Sequence, residues 1–125
     1  MLRSLRLVLA LLAGVAAPAI ASPAADAAGK WCNRAVCITS HDEGLYLGGL
    51  EVSVGQGSRP GSTNVHVWST DGRYNVYHQN LRGSYMRTLV HWVFPRKRFA
   101  DQADVCAEAS IDGRKVGLPC FTVVK

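Results

Sequence analysis

The chain has 125 residues, with 14 Lys or Arg against 9 Asp or Glu, a net charge of +5 at neutral pH with His uncharged. That length excludes a multidomain enzyme and fits one domain behind a leader. The small positive excess argues neither for nucleic acid nor for a polyanionic cell-wall polymer as partner.

The first 21 residues read as a secretory signal peptide. Arg3 and Arg6 give a positive start, Leu7 to Ala17 an apolar run, and Ala19-Ile20-Ala21 the small residues of a cleavage site. An apolar run of about eleven residues is short of the roughly 20 that cross a bilayer, so the expectation is a secreted, extracellular chain with no membrane span. Residues 22–30 (SPAADAAGK) read as a flexible leader, and 31–125 as a single β domain. Without Arg3 and Arg6, 12 basic residues face 9 acidic ones, a mature charge of only +3. Arg outnumbers Lys by 10 to 4 amid abundant Ala, Gly and Val, which reads as a GC-rich, bacterial coding bias.

Export would place Cys32, Cys37, Cys106 and Cys120 in an oxidising compartment. Four cysteines allow three pairings. Short loops favour Cys32–Cys37 and Cys106–Cys120, while a crossed pairing stays open. Zinc is not expected, because the gap from Cys106 to Cys120 does not suit a knuckle. No other metal and no cofactor is expected.

Beyond the leader no window sustains a 3.6-residue apolar period; short β-rich runs alternate with Gly, Asp, Asn and Pro. Residues 34–40 are a first strand, followed by a turn at His41-Asp42-Glu43-Gly44. Residues 45–54 are a second strand, with a bulge or bend at Gly48-Gly49. Residues 55–63 (GQGSRPGST) are an exposed loop with nothing evident to lock it. Residues 64–70 and 73–80 flank Asp71-Gly72, a dipeptide suited to a type I′ hairpin turn. That register sets Trp68 opposite Asn75, His66 opposite Tyr77, Val67 opposite Val76 and Val65 opposite His78. Val65, Val67, Tyr74, Val76 and His78 then form the buried face, and His66, Trp68, Arg73, Asn75 and Tyr77 the outer one.

Residues 84–94, apolar on both faces near their end, read as a central strand. Pro95 stops it, and 96–104 cross over as a polar connection. Residues 105–111 and 115–124 form a second hairpin around Asp112-Gly113. There a two-residue turn and aligned cysteines are compatible only with a bulge, expected near Gly117-Leu118-Pro119.

Seven strands with turn signals about every ten residues predict an all-β fold: an antiparallel, immunoglobulin-like β-sandwich, with a small open β-barrel as the second choice. The Trp-bearing strand 64–70 lies in the middle third, and Asp101-Gln102-Ala103-Asp104-Val105-Cys106 resembles the approach to the sixth strand of immunoglobulin-like domains. The likeness is one of fold and implies no function.

Nucleophile elbows, zinc-protease motifs and unpaired cysteines are absent. The sequence therefore points to a monomeric, non-catalytic binding protein whose partner is a cell-wall glycan or an extracellular protein, hydrolase inhibition included. Its surface is the His66, Trp68 and Tyr77 patch, together with Arg59 in the 55–63 loop and the basic cluster Arg96, Lys97 and Arg98. Exposed rings with polar neighbours suit such recognition. Nucleic acid is not favoured, since aromatics are not interleaved with the basic cluster beyond Phe99. The competing class is a small secreted hydrolase such as a ribonuclease, with His66, Glu51 and Arg87 in the acid–base and phosphate roles.

Overall fold

A computed structural model describes residues 28–57, 61–82 and 88–125. The signal peptide, the leader up to residue 27, Arg59, Arg87 and the start of the strand expected from Ser84 lie outside the described residues.

Alternation of buried and open positions marks the strands. Val36, Ile38 and Ser40 are buried in β2 (Val36–Ser40), as are Leu50, Val52 and Val54 in β4 (Leu50–Gly55). That period of two is what a strand buried on one face requires. β1 (Gly29–Asn33) precedes them and pairs with β2, with Cys32 directly opposite Cys37. The fold thus starts inside the segment expected to be leader, because Gly29 and Lys30 pair with Ser40 and Thr39. The bend at Gly48-Gly49 divides the second expected strand into β3 (Tyr46–Leu47) and β4.

β5 (Ser62–Ser69) and β6 (Asn75–Arg82) form the first hairpin in the expected register, from Trp68 opposite Asn75 to Val65 opposite His78. The turn itself differs. Only Gly72 takes a positive φ (74°) while Asp71 does not, so the turn is not type I′. The Gly72 amide instead donates to the Ser69 carbonyl, and the Ser69 amide to that of Tyr74, enclosing a four-residue loop. Asp71 explains the choice: its carboxylate accepts from the Ser69 hydroxyl, the Arg73 amide and, 29 residues on, the Ala100 amide.

β7 (Thr88–Val93) and β8 (Lys97–Arg98) follow, then β9 (Asp104–Ile111), β10 (Arg114–Gly117) and β11 (Cys120–Thr122). The second hairpin has a two-residue turn, with Asp112 (φ 49°) and Gly113 (φ 82°) both left-handed. A register shift between Lys115 and Gly117 then brings Cys120 opposite Cys106. The bulge reconciles turn and cysteines as anticipated, at Val116, immediately ahead of the expected tripeptide.

The strands make two antiparallel sheets, ordered β1-β2-β4-β7 and β10-β9-β5-β6 with β11 also on β9, plus the small pair β3-β8; they do not close on themselves. One apolar cluster joins the two large sheets: Val36, Ile38, Val52 and Val54 from one, and Val65, Val67, Val105, Ala107 and Phe121 from the other. β1 packs over β11 and β2 over β9, and the Trp31 and Phe121 rings stack at 4.3 Å. At the far side His78 of β6 meets His91 of β7, ring centroids 4.5 Å apart. β7 therefore ends its sheet rather than lying centrally. Its outward Val90 and Trp92 are 50% and 46% exposed, so the apolar run reflects an uncovered outer face, not burial on both sides.

Both disulfides, Cys32–Cys37 and Cys106–Cys120, join neighbouring strands within a sheet. The second closes a loop worth about 3 kcal/mol on a chain-entropy basis. Among the described residues there is no helix, and none long and apolar enough to cross a membrane.

Candidate functional site

The hairpin is the right way round. Val65 and Val67 are buried, whereas His66 and Trp68 are partly open and Tyr77 is 62% exposed. His66 lies between two rings, with Tyr77 at 3.9 Å and 7° and Trp68 at 4.5 Å and 26°. Two near-parallel rings at such distances occupy opposite faces of the imidazole. The three rings thus stand on edge from the sheet as a stacked ridge, and do not lie flat as a platform. Tyr77, on the end strand β6, is the most open member. His66 Nε2 is hydrogen-bonded to Oδ1 of Asn75, which fixes the ring.

The partner on the other side comes from a strand 42 residues further along the chain. β9 pairs with β5 so that Glu108 stands opposite His66 and Cys106 opposite Trp68. Two transverse rows result on the outer face: Tyr77, His66 and Glu108, and beside it Asn75, Trp68 and the Cys106–Cys120 disulfide. Glu108 also pairs with Lys115 of β10 at 3.6 Å. Asn64, Gln79 and Ser110 join His66, Tyr77 and Glu108 around a shallow groove of about 300 Å³. A second groove of about 200 Å³ continues past Glu108 and Lys115 toward Asn33 and Leu118. Glu108 is the member of this site that sequence reasoning misses. Its outward position was readable from the alternation of Val105, Ala107 and Ala109, but its pairing with β5 was not.

The other expected contributors are elsewhere. Lys97 and Arg98 pair with Leu47 and Tyr46 in the β3-β8 sheet. Lys97 Nζ donates to the Arg73 carbonyl at 2.9 Å, and Arg73 Nη1 to that of Arg98 at 3.0 Å. The basic cluster is therefore strapped to the end of the hairpin, and Arg96 sits over the Phe94 ring, 5.7 Å from its centroid. Glu51 faces outward on β4, opposite Trp92, in the other large sheet. The trio His66, Glu51 and Arg87 is thus not assembled: Glu51 and His66 lie in different sheets. Asp42 is held in a turn, accepting from the amides of Gly48 and Gly49 at 2.8 and 3.3 Å.

No protein-family model, curated protein or solved structure matches this chain.

The 55–63 loop has firmer stems than its sequence suggested. Gln56 is 5% exposed; its Nε2 donates to Thr63 Oγ1 at 3.1 Å and its Oε1 accepts from the Gly61 amide at 3.3 Å. Asp112 grips the same end, accepting from the Ser62 amide at 3.0 Å.

Proposed function

We propose that this chain is a small secreted binding protein, not an enzyme, whose recognition surface is the outer face of β6, β5 and β9. The supporting observation is the stacked Tyr77, His66 and Trp68 ridge, flanked by a groove of side-chain amides, a hydroxyl and one carboxylate. Aromatic area presented by rigid side chains is cheap in entropy to order. Sugar hydroxyls pair with the amide and carboxylate groups available here, and the open side of Tyr77 suits a pyranose C–H face. A cell-wall glycan is accordingly favoured over an extracellular protein as partner. The leader, the two disulfides and the lack of a membrane-crossing helix among the described residues suit an extracellular working place. At fold level an immunoglobulin-like relationship is supported by the order β10-β9-β5-β6, which follows the G-F-C-C′ layer of such domains. The other layer then reads as A-B-E along β2-β4-β7, and departs from A-B-E-D by adding β1 outside β2 and by having no strand beyond β7 among the described residues.

The test is sedimentation of the oxidised protein with insoluble peptidoglycan, chitin and cellulose. The wild type should co-sediment with at least one, and the Trp68→Ala/Tyr77→Ala variant should lose this while keeping its thermal midpoint within a few degrees. Unimpaired binding by that variant would defeat the reading.

One observation favours the hydrolase alternative: Glu108 is the direct cross-strand neighbour of His66, within reach of Lys115. In that case Glu108 and His66 would act as the acid–base couple and Lys115 would face the phosphate. Turnover of RNA that disappears in both His66→Ala and Glu108→Gln would establish it.

A further inference from the structure

A second surface, on the other large sheet, carries a different chemistry. Val90, Trp92 and Phe94 are three successive outward side chains at the end strand β7, and are 50%, 46% and 56% exposed. The Trp92 and Phe94 rings are parallel within 14°, centroids 6.3 Å apart. Tyr46 of β3, 49% exposed, extends the same patch through the Gly48-Gly49 bend. A methyl group added to Gly49 would touch the Phe94 ring at 3.4 Å, and one on Gly48 the Tyr46 ring at 3.6 Å. The two rings thus rest on consecutive glycines.

Cations border the patch. Arg96 lies over Phe94, Arg98 stands opposite Tyr46, and Lys97 ties β8 to Arg73. Among the described residues no carboxylate lies within 4.0 Å of Arg96, Lys97 or Arg98. The nearby acids are otherwise placed. Asp71 is committed to its turn and to Arg73, and Asp42 to the glycine amides, while Glu51 faces Trp92 from β4. Counting Arg73, four cations stand against these three carboxylates, so the border is positive by one, and its three cations without a carboxylate partner among the described residues are Arg96, Lys97 and Arg98.

We propose that Tyr46, Val90, Trp92 and Phe94, bordered by Arg96, Lys97 and Arg98, dock the protein on an anionic phospholipid bilayer. Basic side chains are drawn to such a surface, and aromatic rings settle at the headgroup level. Val90 separates this partner from single-stranded nucleic acid: an aliphatic side chain is buried gladly at the acyl boundary but offers nothing for bases to stack on. The surface is distinct from the proposed recognition face, so either can fail without the other.

The experiment is co-sedimentation with vesicles of phosphatidylglycerol and phosphatidylcholine in equal parts, against phosphatidylcholine alone, with tryptophan emission read in parallel. Binding should require phosphatidylglycerol, weaken with added salt and shift the emission to the blue. Arg96→Gln/Arg98→Gln should weaken it about tenfold or more, and Trp92→Ala/Phe94→Ala should abolish it. Trp68→Ala/Tyr77→Ala should leave it intact. Because Trp92, Phe94, Arg96 and Arg98 are all exposed, unchanged thermal midpoints in these variants will show that the fold persists. Equal binding to both vesicle types would overturn the proposal. So would binding to a single-stranded oligonucleotide but not to vesicles, or a lipid-free, concentration-dependent dimer that Trp92→Ala/Phe94→Ala dissolves.

Discussion

Asp71 shows how one side chain settles a local structure that its neighbours leave open. Asp-Gly between two β runs is compatible with a tight two-residue turn, and the residues on either side do find the register such a turn implies. The carboxylate nevertheless reaches the Ala100 amide at 2.9 Å, a contact no local rule includes, and the turn widens to accommodate it. Burial pushes this carboxyl upward, but the Ala100 amide, the Ser69 hydroxyl, the Arg73 amide and the Arg73 charge outweigh that and hold it below its ordinary 3.8. A carboxyl depressed in the folded state adds stability above its unfolded value and loses it as the pH falls through the folded one. Asp71→Asn should therefore cost about 1–2 kcal/mol at neutral pH, allowing for screening near the surface. Urea midpoints of variant and wild type should converge as the pH drops below 3.8. A difference that persists at pH 2 would assign the effect to shape rather than charge.

At the scale of strands, what could be read from the sequence was whatever adjacent residues determine. The β5–β6 register, the split at Gly48-Gly49, both disulfides and the bulge before Cys120 follow from turn chemistry and alternation within some 15 residues. Three things did not. β1 has no counterpart in the sequence reading, whose first strand begins at Arg34, because Gly29 and Lys30 look like linker until β2 is there to pair with them. β7 reads as central because a continuous apolar run does not reveal whether its second face is covered. Glu108 was absent from the site because the β5–β9 pairing joins segments some 40 residues apart. Gly117 illustrates how tight the distant contacts are. A methyl group there would collide with the Asn33 carbonyl and with Val36, where Ala35 donates to the Val116 carbonyl and Leu118 to Asn33 Oδ1. Gly117→Ala should cost about 1–3 kcal/mol by overpacking, measurable as a lower urea midpoint with both disulfides intact. An unchanged midpoint would mean that β1 yields easily.

For the whole molecule, the two edges along which the large sheets meet are closed in different ways. On one, Trp31 stacks on Phe121 and the Asn33–Ala35 turn is hydrogen-bonded to the bulge of the opposite sheet. On the other, His78 and His91 face each other with both Nε2 atoms buried and without a hydrogen-bond partner. Their cross-strand neighbours, Val65 and Val52, offer no compensating charge. Burial, and then the charge of His78, lower the pKa of His91 below its ordinary 6.5. The unfolded chain therefore takes up a proton that the folded one refuses, so stability should begin to fall as the pH drops through 6.5 and go on falling until the folded value is passed. Urea midpoints between pH 7.5 and 5 should decline in the wild type and stay nearly level in His91→Phe. Parallel slopes would locate the sensitivity elsewhere.

The placement of the cystines has a consequence for how the protein comes apart. Each bridge rivets two neighbours inside one layer, and neither stitches layer to layer. The oxidised chain can thus delaminate completely without rupturing a covalent bond. It would reach an expanded form whose only remaining constraints are two small rings, one near each end of the domain. Resistance to such parting rests on the apolar filling between the plates, and the bridges act by restricting the unfolded chain, so a reductant would lower the stability of the whole molecule without first separating the layers.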